Sequence, residues 1–241
     1  MAEPLLRLEG VHTHIEQYHI LHGVDFEVAA GGMTVLLGRN GAGKTTTLRT
    51  IMGMYRAGRG RILFDGEDIT ALPTPEIARR GIAFVPEDMG IFSTLSVHEN
   101  MLLAARAGTM PADRLEQIFS LFPAMKRFWD LPAGALSGGQ KQMLAISRAI
   151  IEPRRLILID EPTKGLAPSI ITAMIAAFRE VKAETTVLLV EQNFHFASSL
   201  GDSAVVIDDG RVIHRGTMNA LIADTALQQD LLGLSLAGQE T

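Results

Sequence analysis

A glycine-rich segment at residues 38–45 constrains this chain more than any other feature. It matches the phosphate-binding pattern G-x-x-x-x-G-K-S/T at every fixed position. The apolar run Met33–Leu37 before it predicts a strand, and a helix is predicted from Lys44 to about Met52. This strand–loop–helix context is the one in which the pattern binds a nucleotide. The segment consists of Gly38, Arg39, Asn40, Gly41, Ala42, Gly43, Lys44 and Thr45.

The residue types of this loop explain how it would hold phosphate. Glycines let consecutive backbone N–H groups converge on phosphate oxygens, and the N-terminus of the following helix adds a positive dipole. Lys44 can reach the β- and γ-phosphates, and the Thr45 hydroxyl can ligate magnesium. Thr46 follows directly and is expected to contact the nucleotide as well. The loop therefore predicts a nucleotide site with Mg²⁺.

Composition limits the kinds of partner and the cellular compartment that can be expected for this chain. The chain has 241 residues, of which 47% are hydrophobic, so it can bury a full core as one large domain or two small ones. A net charge of −5 without a lysine or arginine block disfavours nucleic acid. The absence of cysteine excludes disulfides and thiolate metal sites. No apolar run approaches the ~20 residues of a membrane-spanning helix and no signal peptide is visible, which favours a cytoplasmic location.

The N-terminal region shows short strand-like segments and several histidines. Leu5–Leu8 and Val24–Val28 read as strands around the polar stretch Thr13–His19, which predicts an antiparallel region. His12 and His14 alternate, so on a strand they share one exposed face. No cysteine or carboxylate pair accompanies the histidines, and this disfavours a metal site.

Strand and helix patterns then alternate, which predicts an α/β fold. Between Pro86 and Leu136 the pattern changes, because only helical periodicity is present, at Val97–Ala105 and Asp113–Leu121. This segment is predicted to be a helical insertion. Its small core is expected to consist of Met101, Phe119, Phe122, Phe128 and Trp129. The strands expected outside it are Arg61–Phe64, Ile82–Val85, Leu156–Ile159, Thr186–Val190, Ala204–Ile207 and Val212–His214.

Acidic and amide residues follow three of these strands within two positions. Glu87 comes after the second strand, Asp160–Glu161 after the third, and Glu191–Gln192 after the fourth. Ligands of open parallel sheets bind at the carboxyl ends of the strands, so these residues should converge on the phosphate loop. Asp160 is then expected to help hold Mg²⁺, and Glu161 to orient or deprotonate the attacking water. An exposed acidic turn is the alternative, but acids after a buried aliphatic strand are costly without such a role.

A third motif resembles the signature of ATP-binding-cassette ATPases. It is the segment Leu136–Gln140, about ninety residues after the phosphate loop and about twenty before Asp160. The resemblance covers nearly the whole chain and implies a RecA-like P-loop core with a mostly parallel sheet. It also implies an N-terminal antiparallel β-subdomain and a helical insertion subdomain. Within a single ATPase domain of residues 1–241, the core would comprise 1–86 and 141–241, and the helical subdomain 87–140.

The resemblance implies several site residues. Tyr18 matches the aromatic residue that stacks on adenine, and Glu87 occupies a position near the metal where the family usually has glutamine. Gln192 takes the place of the switch histidine, with His195 as an alternative. Lys164 lies in the dimer-contact loop, where many relatives carry an apolar residue. In this family two subunits enclose ATP, and the residues expected to contact the ATP of the other subunit are Ser137, Gly138, Gly139 and Gln140.

A narrower resemblance points to one branch of the family. Asp160–Pro168 and Val190–Asn193 resemble the ATPase subunits of branched-chain amino-acid importers, as does Leu231–Gly233. ATP and Mg²⁺ are the implied cofactors. The implied partners are a second ATPase subunit (paralogue or second copy), integral membrane permease subunits and, indirectly, an extracytoplasmic solute-binding protein. The chain would be peripheral, on the cytoplasmic face of the inner membrane.

Other functions are left open or disfavoured by the same residues. The solute is open, since hydrophobic amino acids, urea, amides and aromatic acids all fit. A non-transport cassette ATPase is disfavoured, because the chain has neither a long coiled coil nor a second cassette. A regulatory GTPase would carry an Asn-Lys-x-Asp motif, which is absent. Asp88–Leu95 is expected to help dock a membrane subunit, although Phe92 and Leu95 have a local core role as the alternative.

Overall fold

The computed structural model describes residues 3–106 and 108–232. Two sheets and a set of helices make up the described chain. The strands are β1 Leu6–Ile15, β2 Tyr18–Val28, β3 Met33–Leu37, β4 Ala57–Phe64, β5 Glu67–Asp68, β6 Ile82–Val85, β7 Leu156–Asp160, β8 Thr186–Val190, β9 Ser203–Asp208 and β10 Arg211–Thr217. The helices are α1 Lys44–Ile51, α2 Thr74–Arg79, α3 Val97–Ala104, α4 Ala112–Leu121, α5 Pro123–Arg127, α6 Gly138–Ile150, α7 Pro168–Glu184, α8 Phe194–Leu200, α9 Met218–Ala223 and α10 Thr225–Leu232.

The larger sheet has the order β10-β9-β3-β8-β7-β6, and all neighbours from β9 to β6 are parallel. Every residue of β3, β7 and β8 is buried, as expected for parallel strands covered on both faces. β10 is the edge strand and pairs with β9 in the antiparallel direction. The predicted α/β core with a mostly parallel sheet is confirmed.

The smaller sheet has the order β2-β1-β4-β5 and is antiparallel, as predicted for the N-terminal region. The prediction of short strands around a polar stretch at Thr13–His19 was wrong, because β1 and β2 run through it as one long hairpin. Buried residues alternate with less buried ones along much of both strands, so most of the polar residues lie on the outer face. Thr13 faces inward, and its hydroxyl lies 3.1 Å from that of Thr50.

Four histidines stack on the outer face of this hairpin. The rings of His14 and His19 lie 4.1 Å apart and nearly parallel, and His22 lies 4.0 Å from His19. His12 Nδ1 is 3.1 Å from His19 Nε2, and burial, followed by the neighbouring His19, lowers the pKa of His12. Within the part of the chain that the structure describes, no group of three or more metal-ligating side chains is arranged to hold an ion.

The helical segment α3 to α6 covers one face of the larger sheet. The prediction of a separate small core for this segment was wrong, since Met101 and Phe122 belong to the same buried cluster as Val35 and Leu37 of β3. Phe119, Phe128 and Trp129 pack against that cluster while half-buried. The prediction also missed α5, because Pro123 looks like a break but stands in the first turn, where proline is tolerated. The other cluster lies between the opposite face and the smaller sheet.

Two further expectations concern the ends of segments. The proposed boundary between residues 140 and 141 falls inside α6, which runs without a break from Gly138 to Ile150. Of the Leu231–Gly233 motif, Gly233 lies outside the described residues, while Leu231 packs against the core. No helix within residues 3–106 and 108–232 is both long and apolar enough to span a membrane.

Candidate functional site

The loop between β3 and α1 has the backbone form that its glycines allow. Gly38, Gly41 and Gly43 have φ values of 151°, 80° and 105°, in the region that side chains rarely adopt. A Cβ at Gly38 would lie 2.2 Å from the carbonyl oxygen of Ile207, so only glycine fits there. The loop ends at the N-terminus of α1, whose first turn contains no acidic residue. The free N–H groups of this first turn, with no acidic side chain beside them, favour the binding of an anion at the start of α1.

Lys44 folds back over the loop and is almost fully buried. Its Nζ donates to the carbonyl oxygens of Gly38 at 2.9 Å and Arg39 at 3.0 Å, and lies 3.5 Å from Glu161 Oε1. The ammonium group therefore points across the concave side of the loop. A buried cation held by two carbonyls and one carboxylate is ready to exchange these partners for phosphate oxygens.

Asp160 ends β7 and is completely buried. Its Oδ1 accepts a hydrogen bond of 3.2 Å from the Thr45 hydroxyl, whereas its buried Oδ2 has no partner among the described residues. Burial raises the pKa of Asp160 to about 6, and the nearby Glu161 and Glu87 add to the rise, against the Thr45 bond. A hydroxyl and an unpaired carboxylate oxygen at one point form a donor set of the type Mg²⁺ prefers.

Glu161 starts the loop after β7 with an unusual backbone, since its φ is +46°. Its N–H donates to the carbonyl of Val190, which ties the loop to β8. Its Oε1 accepts a hydrogen bond of 2.7 Å from Gln192 Nε2, and this amide also donates to Asn40 Oδ1. Gln192 therefore links the phosphate loop to the Glu161 carboxylate. His195 lies on α8 and is exposed.

Lys44, Thr45 and Glu161 line a cavity of about 340 Å³, whereas Asp160 and Gln192 are not among its lining residues. The ends of β3, β6 and β7 all contribute to it, so their predicted convergence is observed. Glu191 is the exception, because its carboxylate is buried and accepts hydrogen bonds from Thr163, Gln192 and Asn193 instead. The cavity is lined by Ile20, Asn40, Gly41, Gly43, Lys44, Thr45, Thr46, Glu87, Glu161 and Lys164.

Two groups of expected site residues lie apart from the cavity. Tyr18 is 61% exposed at the start of β2, two residues from Ile20, which lines the cavity. The signature segment begins α6, where Ser137 accepts from the N–H of Gln140 and the Gln140 side chain accepts from the N–H of Ser137. Ser137 and Gly138 are exposed, and a Cβ at Gly138 would meet no atom of the described chain within 4 Å. This surface is open to another molecule.

Residues 21–164 match the family described as ABC transporter. This match spans more than half of the chain and includes the phosphate loop, the signature segment and Asp160–Glu161. The chain belongs to this family. It is an ABC transporter ATPase, an enzyme that binds and hydrolyses ATP.

Relatives of this ABC ATPase match it over nearly its full length. The high-affinity branched-chain amino acid transport ATP-binding protein BraG of Pseudomonas aeruginosa is 38% identical, over 95% of this chain and 100% of BraG. The probable branched-chain amino acid transport ATP-binding protein LivF of Archaeoglobus fulgidus is 33% identical, over 95% and 99%. A solved ATP-binding subunit of an ABC transporter is 32% identical with a TM-score of 0.79, over 96% of each chain. Other relatives, 30–31% identical, are named for lipopolysaccharide export, methionine import and thiamine import.

Sequence patterns did not reveal two contacts in this ABC ATPase. Thr163 donates to Glu191 through both its N–H and its hydroxyl. Glu191 was expected at the site, but it holds the loop after β7 in place instead. Lys164 forms an ion pair with Glu87 across the cavity edge. Both contacts join loops that are distant in sequence, and no spacing rule connects such positions. The residue types at positions 87 and 164, each a departure from the usual cassette, were the available signal for the second contact.

Proposed function

We propose that this chain is the ATPase subunit of an importer for branched-chain or other hydrophobic amino acids. It would couple ATP binding and hydrolysis to uptake through separate membrane subunits. The observation that carries the proposal is the similarity to BraG, which extends over 95% of this chain and all of BraG. The motifs at Asp160–Pro168 and Val190–Asn193 support the same branch.

Catalysis would use the residues that line the cavity together with Asp160 and Gln192. Lys44 would exchange its carbonyl partners for the γ-phosphate, and the α1 N-terminus would bind phosphate oxygens. Mg²⁺ would be held by Thr45 and Asp160, with Glu87 as a further carboxylate, and it supplies positive charge to the β- and γ-phosphates. The unpaired Oδ2 of Asp160 supports this ligand set. Tyr18 would stack on adenine from the hairpin end.

Glu161 would accept the proton of the attacking water, and Gln192 would hold that carboxylate in place. The 2.7 Å bond from Gln192 Nε2 to Glu161 Oε1 leaves Oε2 for the water, with Lys164 at 3.9 Å from it. Gln192 cannot become cationic, so it positions groups without adding charge. Glu161 therefore carries the proton transfer without help from an imidazole.

The active unit would be a dimer of ATPase subunits, formed with a second copy or a paralogue. Ser137, Gly138, Gly139 and Gln140 do not line the cavity of their own chain, and the helix start at the exposed residues Ser137 and Gly138 is suited to a phosphate on another subunit. Each cavity would then be completed by the signature segment of the partner. A lone monomer should be nearly inactive.

Permease subunits would dock where the helical subdomain, residues 87–140, meets the core. A cavity of about 570 Å³ lies there, lined by side chains that include Met54, Asp88 and Arg148. Met54 and Phe92 are 48% and 49% exposed beside it. Exposed apolar groups at a groove suit a partner helix. The chain would be peripheral on the cytoplasmic face of the membrane, and a solute-binding protein would act from the far side.

Transport in membrane vesicles tests this proposal. The chain is expressed with candidate permease subunits of the branched-chain type, purified with them and reconstituted with a matching solute-binding protein. We expect ATP-dependent uptake of radiolabelled leucine, and its loss with Lys44→Ala. ATP-dependent uptake of urea, an amide or an aromatic acid but not of leucine would assign another solute, as the range of named relatives allows. Failure to co-purify with any membrane chain would refute a transport role.

A further inference from the structure

Two residues that depart from the usual cassette pattern, Glu87 and Lys164, contact each other in the folded chain. The Lys164 ammonium lies 2.5 Å from Glu87 Oε1 and 3.9 Å from Glu161 Oε2. All three side chains line the nucleotide cavity. One cation therefore lies between two carboxylates at the edge of the site.

The backbone holds this arrangement in place. β6 and β7 are neighbours in the parallel sheet, and Glu87 and Lys164 belong to the loops that follow them. The N–H of Lys164 donates to the carbonyl of Glu161 at 3.2 Å, and the N–H of Leu166 donates to that of Thr163 at 3.1 Å. These bonds turn the second loop back toward the first, so the pair spans two strand ends.

The contact between Glu87 and Lys164 affects the net charge of the cavity. The cavity must accept a polyanion, and Glu87 adds a carboxylate beside Asp160 and Glu161, whereas a glutamine would add no charge. Lys164 offsets this charge. The pair is solvent-exposed, at 62% for Lys164 and 38% for Glu87, so it adds little to folding stability. Its effect should therefore fall on the nucleotide site rather than on the fold.

We propose that Lys164 is a positioning residue that holds the Glu87 carboxylate at the cavity edge and offsets its charge, so that the two act as one neutral unit. The inference rests on the ATP site proposed above and not on the transported solute. Loss of Lys164 alone leaves Glu87 facing the nucleotide without compensation. Loss of Glu87 alone leaves an extra cation. The two single changes should move nucleotide affinity in opposite directions, and together they should cancel.

A double-mutant cycle with Lys164→Met, Glu87→Gln and the combined variant tests this pairing. The main readout is equilibrium binding of a fluorescent ATP analogue to the monomer in EDTA, which excludes the proposed Mg²⁺ contact of Glu87 and avoids contacts made by Lys164 in a dimer. We expect Lys164→Met to weaken binding about 3–10-fold, Glu87→Gln to tighten it, and the double variant to lie within about twofold of wild type. Lys164→Arg keeps the charge and should restore binding. In steady-state assays with Mg²⁺, Lys164→Met should raise KM more than it changes kcat.

Matched controls separate this effect from others. Glu184→Gln removes a similarly exposed ion pair with Arg114, which does not line the cavity, and should leave binding unchanged. Thermal unfolding of each variant identifies misfolding, and Lys164→Gln is a second neutral variant if Lys164→Met does not fold. The inference is wrong if Lys164→Met does not weaken binding, if Glu87→Gln does not tighten it, or if the double variant stays more than about twofold from wild type. If wild type and Lys44→Ala bind the analogue equally weakly, the ATP site itself is misassigned.

Discussion

Thr163 and Glu191 connect the loop after β7 to the end of β8. The Glu191 Oε1 accepts from the Thr163 hydroxyl at 2.7 Å and from its N–H at 3.1 Å, and Oε2 accepts the N–H groups of Gln192 and Asn193 at 2.9 Å each. Both residues are buried. Because Thr163 follows Glu161 by two positions, this contact fixes the loop that presents the proposed base.

Glu191→Gln should therefore destabilise the fold, although it is nearly isosteric. An amide would direct N–H groups at backbone N–H donors and leave them buried and unpaired. We expect a loss of about 2–4 kcal/mol in the free energy of unfolding, measured with urea. Thr163→Ser keeps the hydroxyl and serves as the control, with a loss below about 1 kcal/mol. Unchanged stability of Glu191→Gln would contradict the structural role.

Asp160→Asn should stabilise the nucleotide-free chain above neutral pH. Burial raises the pKa of Asp160 from 3.8 to about 6, so the folded state holds this proton more tightly than the unfolded state. The free energy of unfolding should therefore fall as pH rises from 3.8 through about 6 and stay lower above that range. Asn cannot ionise, and its oxygen can still accept from Thr45. The gain at about pH 8 should reach up to about 3 kcal/mol.

The same substitution should cost function, since Asn is a weaker ligand for Mg²⁺ than a carboxylate. Thermal unfolding with and without Mg²⁺–ATP measures both effects, and the ligand-dependent gain in melting temperature should shrink. Glu116→Gln changes an exposed acid on α4 and should alter neither quantity. If Asp160→Asn is less stable than the wild type at high pH, the folded chain accommodates the ionised carboxylate well and the prediction is wrong.

Glu161→Gln should stop hydrolysis while nucleotide binding is retained. The amide oxygen can still accept from Gln192, but it cannot take the proton of water, so turnover should fall by about 10²–10⁴-fold. ATP-bound dimers should accumulate and can be detected by size-exclusion chromatography. Lys44→Ala provides the contrast, because it should weaken nucleotide binding itself. Near-wild-type turnover without a trapped dimer would remove Glu161 from the proposed role.

Gln192→Ala should slow turnover moderately, because it removes the amide that joins Asn40 to Glu161. Gln192→His should remain active and add a pH dependence near the imidazole pKa of about 6.5. His195→Ala is the control, since His195 is exposed on α8. ATPase assays across pH decide the matter. If only His195→Ala abolishes turnover, the switch position has been assigned to the wrong residue.

Phe92→Ala should uncouple the ATPase from its membrane subunits. The ring is exposed beside the groove, while the Asn100 side chain binds both the N–H and the carbonyl of residue 92. The backbone should therefore keep its shape without the ring. Basal ATPase activity should be retained and stimulation by the permease lost in reconstituted transporter. Ile213→Ala, at an equally exposed apolar residue of β10, should change neither. A large drop in melting temperature for Phe92→Ala would favour the core alternative.

Sequence patterns correctly predicted the strands that are marked by a short run of apolar residues. β3, β6 and β8 have the predicted bounds, because an apolar run ends at each boundary. The hairpin β1–β2 was underestimated, since polar outer faces hide a strand whose inner face is packed. The convergence of strand ends followed from parallel topology. Parallel topology did not predict which of the two acids faces the cavity. Glu161 and Glu191 follow similar strands, and only the loop around Thr163 distinguishes them.

The two buried clusters meet within single strands of the larger sheet. In β3, Val35 and Leu37 face the cluster that also holds the helical segment, while Leu36 faces the one under the smaller sheet. Loosening either side would expose the other side of the same strand to water. Unfolding should therefore be cooperative across the described chain, with a single calorimetric peak and no protease-resistant helical fragment. The phosphate loop, which follows Leu37 directly, would lose its shape in that same transition.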